Sequence, residues 1–239
     1  FSAAGVAAGI SAVEGKKDLA LVVNNGPLDA AAGVFTSNRF CAAPVQWSRN
    51  IVSDGHVKAV ILNSGGANAC TGKPGYEQSK ATAEKVASLI GAKAEDVAVC
   101  STGLIGELLP LDNVLSGADK AFETLADTAE AGVDASHAIM TTDTKKKEIA
   151  VSFELGGKEV RLGGIAKGYT SARIMEIYRE YGITSGMVSL GGNVQTLGTR
   201  PDGKDWNIGI QNPDGQQGSL LAALPVDNKA VITSGGYER

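Results

Sequence analysis

Cysteine and histidine are scarce in this chain of 239 residues, with three of the former and two of the latter. Cys41, Cys70 and Cys100 are widely spaced, form no CxxC pair and have no histidine at ligand spacing. That pattern excludes a disulfide framework or a zinc site, and the reading expects reduced, buried, small residues in a reducing compartment and no bound metal. No stretch approaches the roughly 18 apolar residues of a membrane span, so no membrane partner is expected. The opening Phe1 to Ile10 is apolar but lacks a basic region before it, so a signal peptide is not expected and the cytoplasm is the default location. With no initiator methionine and an abrupt Tyr237-Glu238-Arg239 end, the chain reads as trimmed at both ends. Excess positive charge is absent too: the formal net charge is -4. Lysines cluster only at Lys145-Lys146-Lys147 and Lys16-Lys17, which suits solvated turns and not a nucleic-acid surface.

What is present describes an ordinary soluble globule, 43% hydrophobic and 20% charged, long enough for one large or two ordinary domains. Residues 18–23, 31–36, 43–48 and 57–63 read as strands, and 96–100 as a buried strand. Ala81, Ala83, Val86, Ala87 and Ile90 recur at three- and four-residue spacing and stop at Gly91, which predicts a helix over 77–90 with a glycine cap. A second helix is expected over 112–128 and a third over 170–181, closed by Gly182. Residues 148–153 and 159–162 bracket Gly156-Gly157 as a hairpin. The strands expected at 186–190, 194–197, 206–211, 220–224 and 230–232 are separated by turns such as Pro201-Asp202-Gly203. Mixed elements throughout predict an α/β protein, a layered sandwich of mixed sheets and helices.

Three small-residue segments directly follow strands and are expected to be loops: Ser64 to Gly72, Ser101 to Gly106, and Gly163-Gly164-Ile165-Ala166-Lys167-Gly168. In the last, glycines permit close backbone approach and Lys167 brings a mobile ammonium, a combination suited to a carboxylate or phosphate. Taken alone, it reads first as a strand-to-helix turn with a solvated lysine. A Ser-Thr-Gly after a strand is, taken alone, an ordinary turn.

Residues 1 to about 168 closely resemble the N-terminal part of the bifunctional ornithine acetyltransferase / glutamate N-acetyltransferase family of arginine biosynthesis. The matches run through Ala3 to Ile10, Ala31 to Arg39, Asn63 to Gly72, Ser101 to Gly106, Ile139 to Thr144 and Gly163 to Gly168. Gly66 departs from the family's usual asparagine. The resemblance implies that Thr102 and Gly103 are an oxyanion-hole pair, a hydroxyl and a backbone N–H facing the acetyl carbonyl, and that Thr142 and Lys167 bind the small-molecule amino-acid substrate. It implies acetyl transfer from N-acetylornithine to glutamate without a cofactor. Such enzymes cut themselves at an Ala-Thr bond shortly beyond the Lys-Gly, and the new N-terminal threonine is the nucleophile. Here Tyr169-Thr170-Ser171-Ala172-Arg173-Ile174-Met175-Glu176 occupies that place, so impaired activity is expected.

Residues 162–239 are similar instead to flavin transferases that move FMN from FAD onto a protein threonine. Leu162 to Tyr169, Val188 to Asn193, Trp206 to Pro213 and Ala230 to Arg239 carry this likeness. It implies that Lys167, Gly191, Gly192 and Asn193 touch FAD, with magnesium as a second cofactor, although the family's N-terminal flavin-binding region and its metal ligands are missing. Both families contain Gly-Gly-Ile-Ala-Lys-Gly, and no Pro/Ser-rich linker separates the halves. The expectation is a chimera, with an acetyltransferase-like region over 1–168, a flavin-transferase-like fragment over 169–239, and packing defects at Tyr169 to Met175. A non-catalytic small-ligand-binding globule is the alternative outside both enzyme classes. Partner-fragment association in the first family implies exposed apolar surface and a homo-oligomer.

Overall fold

A computed structural model describes residues 1–141, 151–155, 158–162, 166–190, 193–212 and 219–232. Two compact units divide the chain, Phe1–Thr144 and Lys145–Arg239. This structural division falls earlier than the boundary at 168 that the two resemblances suggest.

The first unit is built on one four-stranded sheet in the order β1 (Ser2–Val6), β2 (Leu19–Val23), β3 (Ala59–Gly66), β4 (Val97–Leu104). β1, β2 and β3 pair antiparallel, and β3 and β4 run parallel, so that Leu21, Ile61 and Val99 stand side by side. The parallel pair requires a crossover, supplied by helix α2 (Gly72–Ile90). One face of the sheet offers Leu19, Leu21, Val23, Ala59, Ile61, Val97 and Val99 to a core completed by three helices. These are α1 (Ala43–Ile51) with Trp47 and Ile51, α2 with Ala83, Val86 and Ala87, and α3 (Leu111–Glu123) with Val114, Ala118 and Ala121. Each fully buried leucine, isoleucine or valine contributes about 1.5–3 kcal/mol relative to exposure. The opposite face meets α4 (Ala129–Ala138), where Ala20, Ala135 and Ala138 form a smaller cluster with Ala3 and Leu62 against it. The unit is therefore helices, sheet, helix, a layered α/β arrangement as expected.

Several local expectations are corrected. Residues 43–48 form a helix and not a strand: Pro44 sits in the first turn, and Ala43, Pro44, Trp47, Ser48 and Ile51 are buried at helical spacing. The window ending at Ser48 is too short to show that period. Residues 31–36 form no strand either. Only Ala30 bridges His56, and the Ala31 N–H reaches the Gly55 carbonyl, so the row of ladder partners a strand needs is missing. The helix expected over 112–128 ends at Glu123. Ala126 pairs with Ala3, and the Thr128 hydroxyl caps a new helix, α4, by accepting from the Ala131 N–H at 3.2 Å. α2 starts five residues earlier than its periodicity indicates and ends, as expected, on Gly91 in the left-handed conformation.

The second unit contains a hairpin of β5 (Val151–Leu155) and β6 (Lys158–Leu162), as the sequence predicts. Helix α5 (Ala166–Glu180) packs against β7 (Gly186–Leu190) and β8 (Asn193–Leu197), and β11 (Ala230–Ile232) extends that sheet in the order β11-β8-β7. β9 (Trp206–Gln211) and β10 (Leu220–Val226) pair antiparallel in a sheet of their own. Within the stretch where packing defects are expected, Met175 is 1% exposed. Among the described residues, no helix is long and apolar enough to cross a membrane.

Candidate active site

The parallel strands β3 and β4 carry their small-residue segments as strand and not as free loop. Asn63 pairs with Ser101, Ser64 with Thr102 and Gly65 with Gly103, and the register slips only at Gly66, which faces both Thr102 and Leu104. Two parallel strands ending side by side, with the crossover helix starting just beyond, create the crevice at the carboxyl ends of strands where α/β folds place their ligands.

Glycine is required at the crevice floor. Gly103 has φ +132° and Gly65 φ +123°, values that L side chains rarely adopt. A Cβ on Gly103 would overlap the Gly65 carbonyl group, and one on Gly65 would lie 2.8 Å from the Ser11 nitrogen and 3.0 Å from the Ile10 carbonyl carbon. The two strand ends therefore touch through bare backbone. Beyond them the Ala67 N–H donates to the Leu104 carbonyl at 2.8 Å and the Gly106 N–H to the Ala69 carbonyl at 2.9 Å, holding the two exit loops together.

Thr102 is exposed, which leaves its hydroxyl open to a ligand. Its neighbour Ser101 points to the other face, where its buried hydroxyl oxygen has no hydrogen-bond partner among the described residues. The edge of β4 behind them is closed by side chains of α1. The Trp47 indole N–H donates to the Val97 carbonyl at 3.0 Å. The Ser48 hydroxyl donates to the Val99 carbonyl at 2.7 Å and accepts from the Val99 N–H at 2.9 Å. The strand bearing the site is thus fixed from the side as well as from below.

The loop after β3 has its own anchor. Asn68, wholly buried at φ 47°, donates from its amide to the Gly75 carbonyl at 2.8 Å and to Ser79 Oγ at 3.2 Å, and accepts from the Thr71 hydroxyl at 2.8 Å. The Asn63 amide donates to the Gly66 carbonyl at 2.8 Å. A Cβ on Gly66 would stand 2.6 Å from Leu109 Cδ2, so a larger residue there requires the end of the Leu109 side chain to shift.

The cysteines are free but are not the buried residues expected from composition. Cys70 and Cys100 are exposed and Cys41 is half-buried. Cys100 alternates with Thr102 on the open face of β4, and the parts of the protein around its sulfur desolvate it enough to push the thiol above its ordinary range.

Of the other sequence-derived candidates, Thr142 lies outside the described residues, as do Gly191 and Gly192. Lys167 is in the first turn of α5 and Asn193 opens β8; only their backbones are described. The structure brings Thr102 and Gly103 together with Gly65, and the remaining positions stay as sequence expectations. A cleft of about 500 Å³ opens at the other end of the same strands, lined by Asp29, Asp54, His56, Lys58 and Asp96. Lys58 pairs with Asp29 at 3.3 Å there. No group of three or more metal-ligating side chains is placed to hold a metal ion among the described residues. Composition and spacing gave no warning of Asp18, which is buried beside the crevice.

The first unit thus combines a layered α/β fold with a glycine-floored crevice and an exposed threonine at the ends of parallel strands. The chain belongs to the ArgJ family, whose family model matches residues 2–173. It is 79% identical over 168 residues to the arginine biosynthesis bifunctional protein ArgJ of Bifidobacterium longum, covering 70% of this chain and 42% of that protein. The corresponding protein of Streptomyces coelicolor is 54% identical over 168 residues, with the same coverage. Among solved structures, the ornithine acetyltransferase of Mycobacterium tuberculosis complexed with ornithine superposes with a TM-score of 0.62 at 48% identity, covering 69% of this chain and 86% of that one. The Bacillus halodurans ArgJ structure gives a TM-score of 0.62 at 36% identity, covering 69% and 84%. The chain thus spans less than half the length of the curated relatives it matches. The family match stops at residue 173, so the flavin-transferase likeness of 162–239 and the chimera draw no support from it.

Proposed function

We propose that this chain carries the acetyl-handling wall of an ornithine acetyltransferase, acting in the cytoplasm on N-acetylornithine and glutamate without a cofactor. In this reading the Thr102 hydroxyl and the Gly103 N–H donate to the acetyl carbonyl oxygen as negative charge develops on it, and Thr142 and Lys167 hold the amino-acid substrate. A preorganised donor of this kind is worth about 2.7–4 kcal/mol of barrier. The observation that carries the reading is the Gly103 backbone, held at φ +132° against Gly65 directly after an exposed Thr102. The likeness to an ornithine-bound acetyltransferase agrees with it. Because Tyr169 to Glu176 replaces the segment in which the family places its nucleophilic threonine, binding is expected without efficient turnover.

Calorimetric titration with N-acetylornithine, paired with intact mass before and after incubation, tests this. Saturable binding with a single uncut, unacetylated species is the expected result. Absence of binding at millimolar ligand would refute the reading. Two fragments, or one heavier by an acetyl group, would show that a threonine elsewhere in the chain works as nucleophile.

A second reading assigns residues 162–239 to FAD and magnesium. It rests on the Val188 to Asn193 motif, which contributes to the antiparallel strands β7 and β8, and on the Trp206 to Pro213 motif, whose first six residues form β9. Flavin absorbance retained after dialysis against FAD and magnesium would favour it; a colourless protein would remove it.

A further inference from the structure

Asp18 is 0% exposed and stands immediately before β2, yet nothing in the acetyl-transfer reading uses it. One carboxylate oxygen accepts from the Ala8 N–H at 2.7 Å, and the other from the Ile10 N–H at 2.6 Å and the Ser11 N–H at 2.8 Å. Its own carbonyl accepts from the Ser64 N–H at 2.8 Å, one residue before Gly65. Among the described residues no cation pairs with it, so the buried charge is held by main-chain donors alone. Such charge-assisted bonds are about twice as strong as neutral ones.

The geometry points to Asp18 as a positioning residue for the oxyanion pair, acting on Gly103 through residues 8–11 and Gly65; this rests on the acetyl-transfer reading. Three N–H groups converging on one carboxylate fix Ala8 to Ser11 as a rigid ledge. That ledge lies against Gly65, at the closeness that bars a Cβ there, and the Gly65 carbonyl in turn bars a Cβ on Gly103. Two further contacts hold the ledge from outside. The Asn113 amide donates to the Gly9 carbonyl at 2.8 Å, and Gly117 leaves just enough room for Ala8. An amide cannot replace the carboxylate, because one of its two ends is a donor and would face an N–H. The direction of the Gly103 N–H is thereby set by a carboxylate that touches no substrate.

The test is calorimetry with N-acetylornithine and with ornithine on the full chain and on Asp18→Asn. The two ligands differ in the acetyl group and in the charge of the amine that bears it, differences common to both proteins, so the change in their affinity ratio between wild type and variant reports the carbonyl contact and not overall fold quality. In the wild type the acetylated ligand is expected to bind more tightly. Asp18→Asn should lose about fivefold of that preference, the worth of one ordinary hydrogen bond, with ornithine affinity unchanged. Val86→Ala, a cavity variant in α2 that leaves the Asp18 hydrogen bonds in place, serves as a control for general destabilisation and should keep the preference. If Asp18→Asn keeps the preference, or Val86→Ala loses it equally, the inference is overturned while the acetyl-transfer reading stands. A wild type that binds neither ligand removes that reading and the inference together. Should Asp18→Asn fail to fold, Asn113→Ala loosens the same ledge from the solvent side, and an unchanged preference there overturns the inference.

Discussion

Gly65 and Gly103 meet backbone to backbone at the carboxyl ends of two parallel strands, each at a positive φ that only glycine adopts freely. Replacing either with alanine adds strain and a collision with main chain, neither of which a side-chain rotation relieves. Gly103→Ala is therefore expected to lose about 2 kcal/mol or more in urea unfolding and to abolish binding of N-acetylornithine. A variant with wild-type stability would show that the strand ends are free to separate.

Thr102→Val separates chemistry from fold at the adjacent position. The side chain is exposed, so stability should stay within about 0.5 kcal/mol. Affinity for N-acetylornithine should fall while that for ornithine holds, because only the carbonyl contact is removed. Equal loss for both ligands would place Thr102 against the amino acid and not the acetyl group.

Two serines that touch the same strand should respond in opposite senses. Ser48 satisfies both the N–H and the carbonyl of Val99, so Ser48→Ala leaves two buried backbone groups without partners and should cost about 1–3 kcal/mol. The Ser101 hydroxyl is buried with no partner among the described residues, so Ser101→Ala should be neutral or stabilising by up to about 1 kcal/mol. Chemical denaturation of the pair reads both; a destabilised Ser101→Ala would reveal a partner for that hydroxyl.

The Cys100 thiol titrates above its ordinary range because desolvation disfavours the thiolate. With the folded value raised above the unfolded one, the associated stability is present at neutral pH and is lost as pH rises from the unfolded thiol range through the folded one. In a variant carrying Cys41→Ala and Cys70→Ala, alkylation by iodoacetamide should stay slow through pH 8 and accelerate only in stronger alkali. A rate equal to that of a small free thiol at pH 8 would contradict the desolvation.

The sequence made the sheet legible wherever β-branched runs met turn residues, as at Leu19–Val23, Val97–Cys100 and the hairpin around Gly156-Gly157. It failed where tertiary partners decided the outcome. Ala43 to Ile51 is helical because Trp47, Ser48 and Ile51 face β4 and the core, a period visible only across nine residues. Residues 31–36 have strand-like composition, but among the described residues no strand lies beside them at matching register. At the site, Thr102 and Gly103 were reached by resemblance alone, and the positive φ that sets Gly103 against Gly65 is a backbone property that no residue pattern spells out. Asp18 was invisible because its role depends on donors from a segment folded back upon it, a relation that no spacing rule encodes.

That folded-back segment also bears on the order in which the chain organises. Asp18 closes onto donors only 7, 8 and 10 residues away, a short loop with a small entropic cost. Joining β3 to β4 requires α2 to cross between them, a longer closure that comes more slowly. The N-terminal hairpin and its ledge are therefore expected to form first, before the partner strand of Gly103 arrives. Pulse-labelled amide exchange should then protect Ala8, Ile10 and Ser11 ahead of the Val99 amide. On that order the chain builds the support beneath its crevice as a local event and adds β4 last, so early folding errors there would be errors of docking and not of local shape.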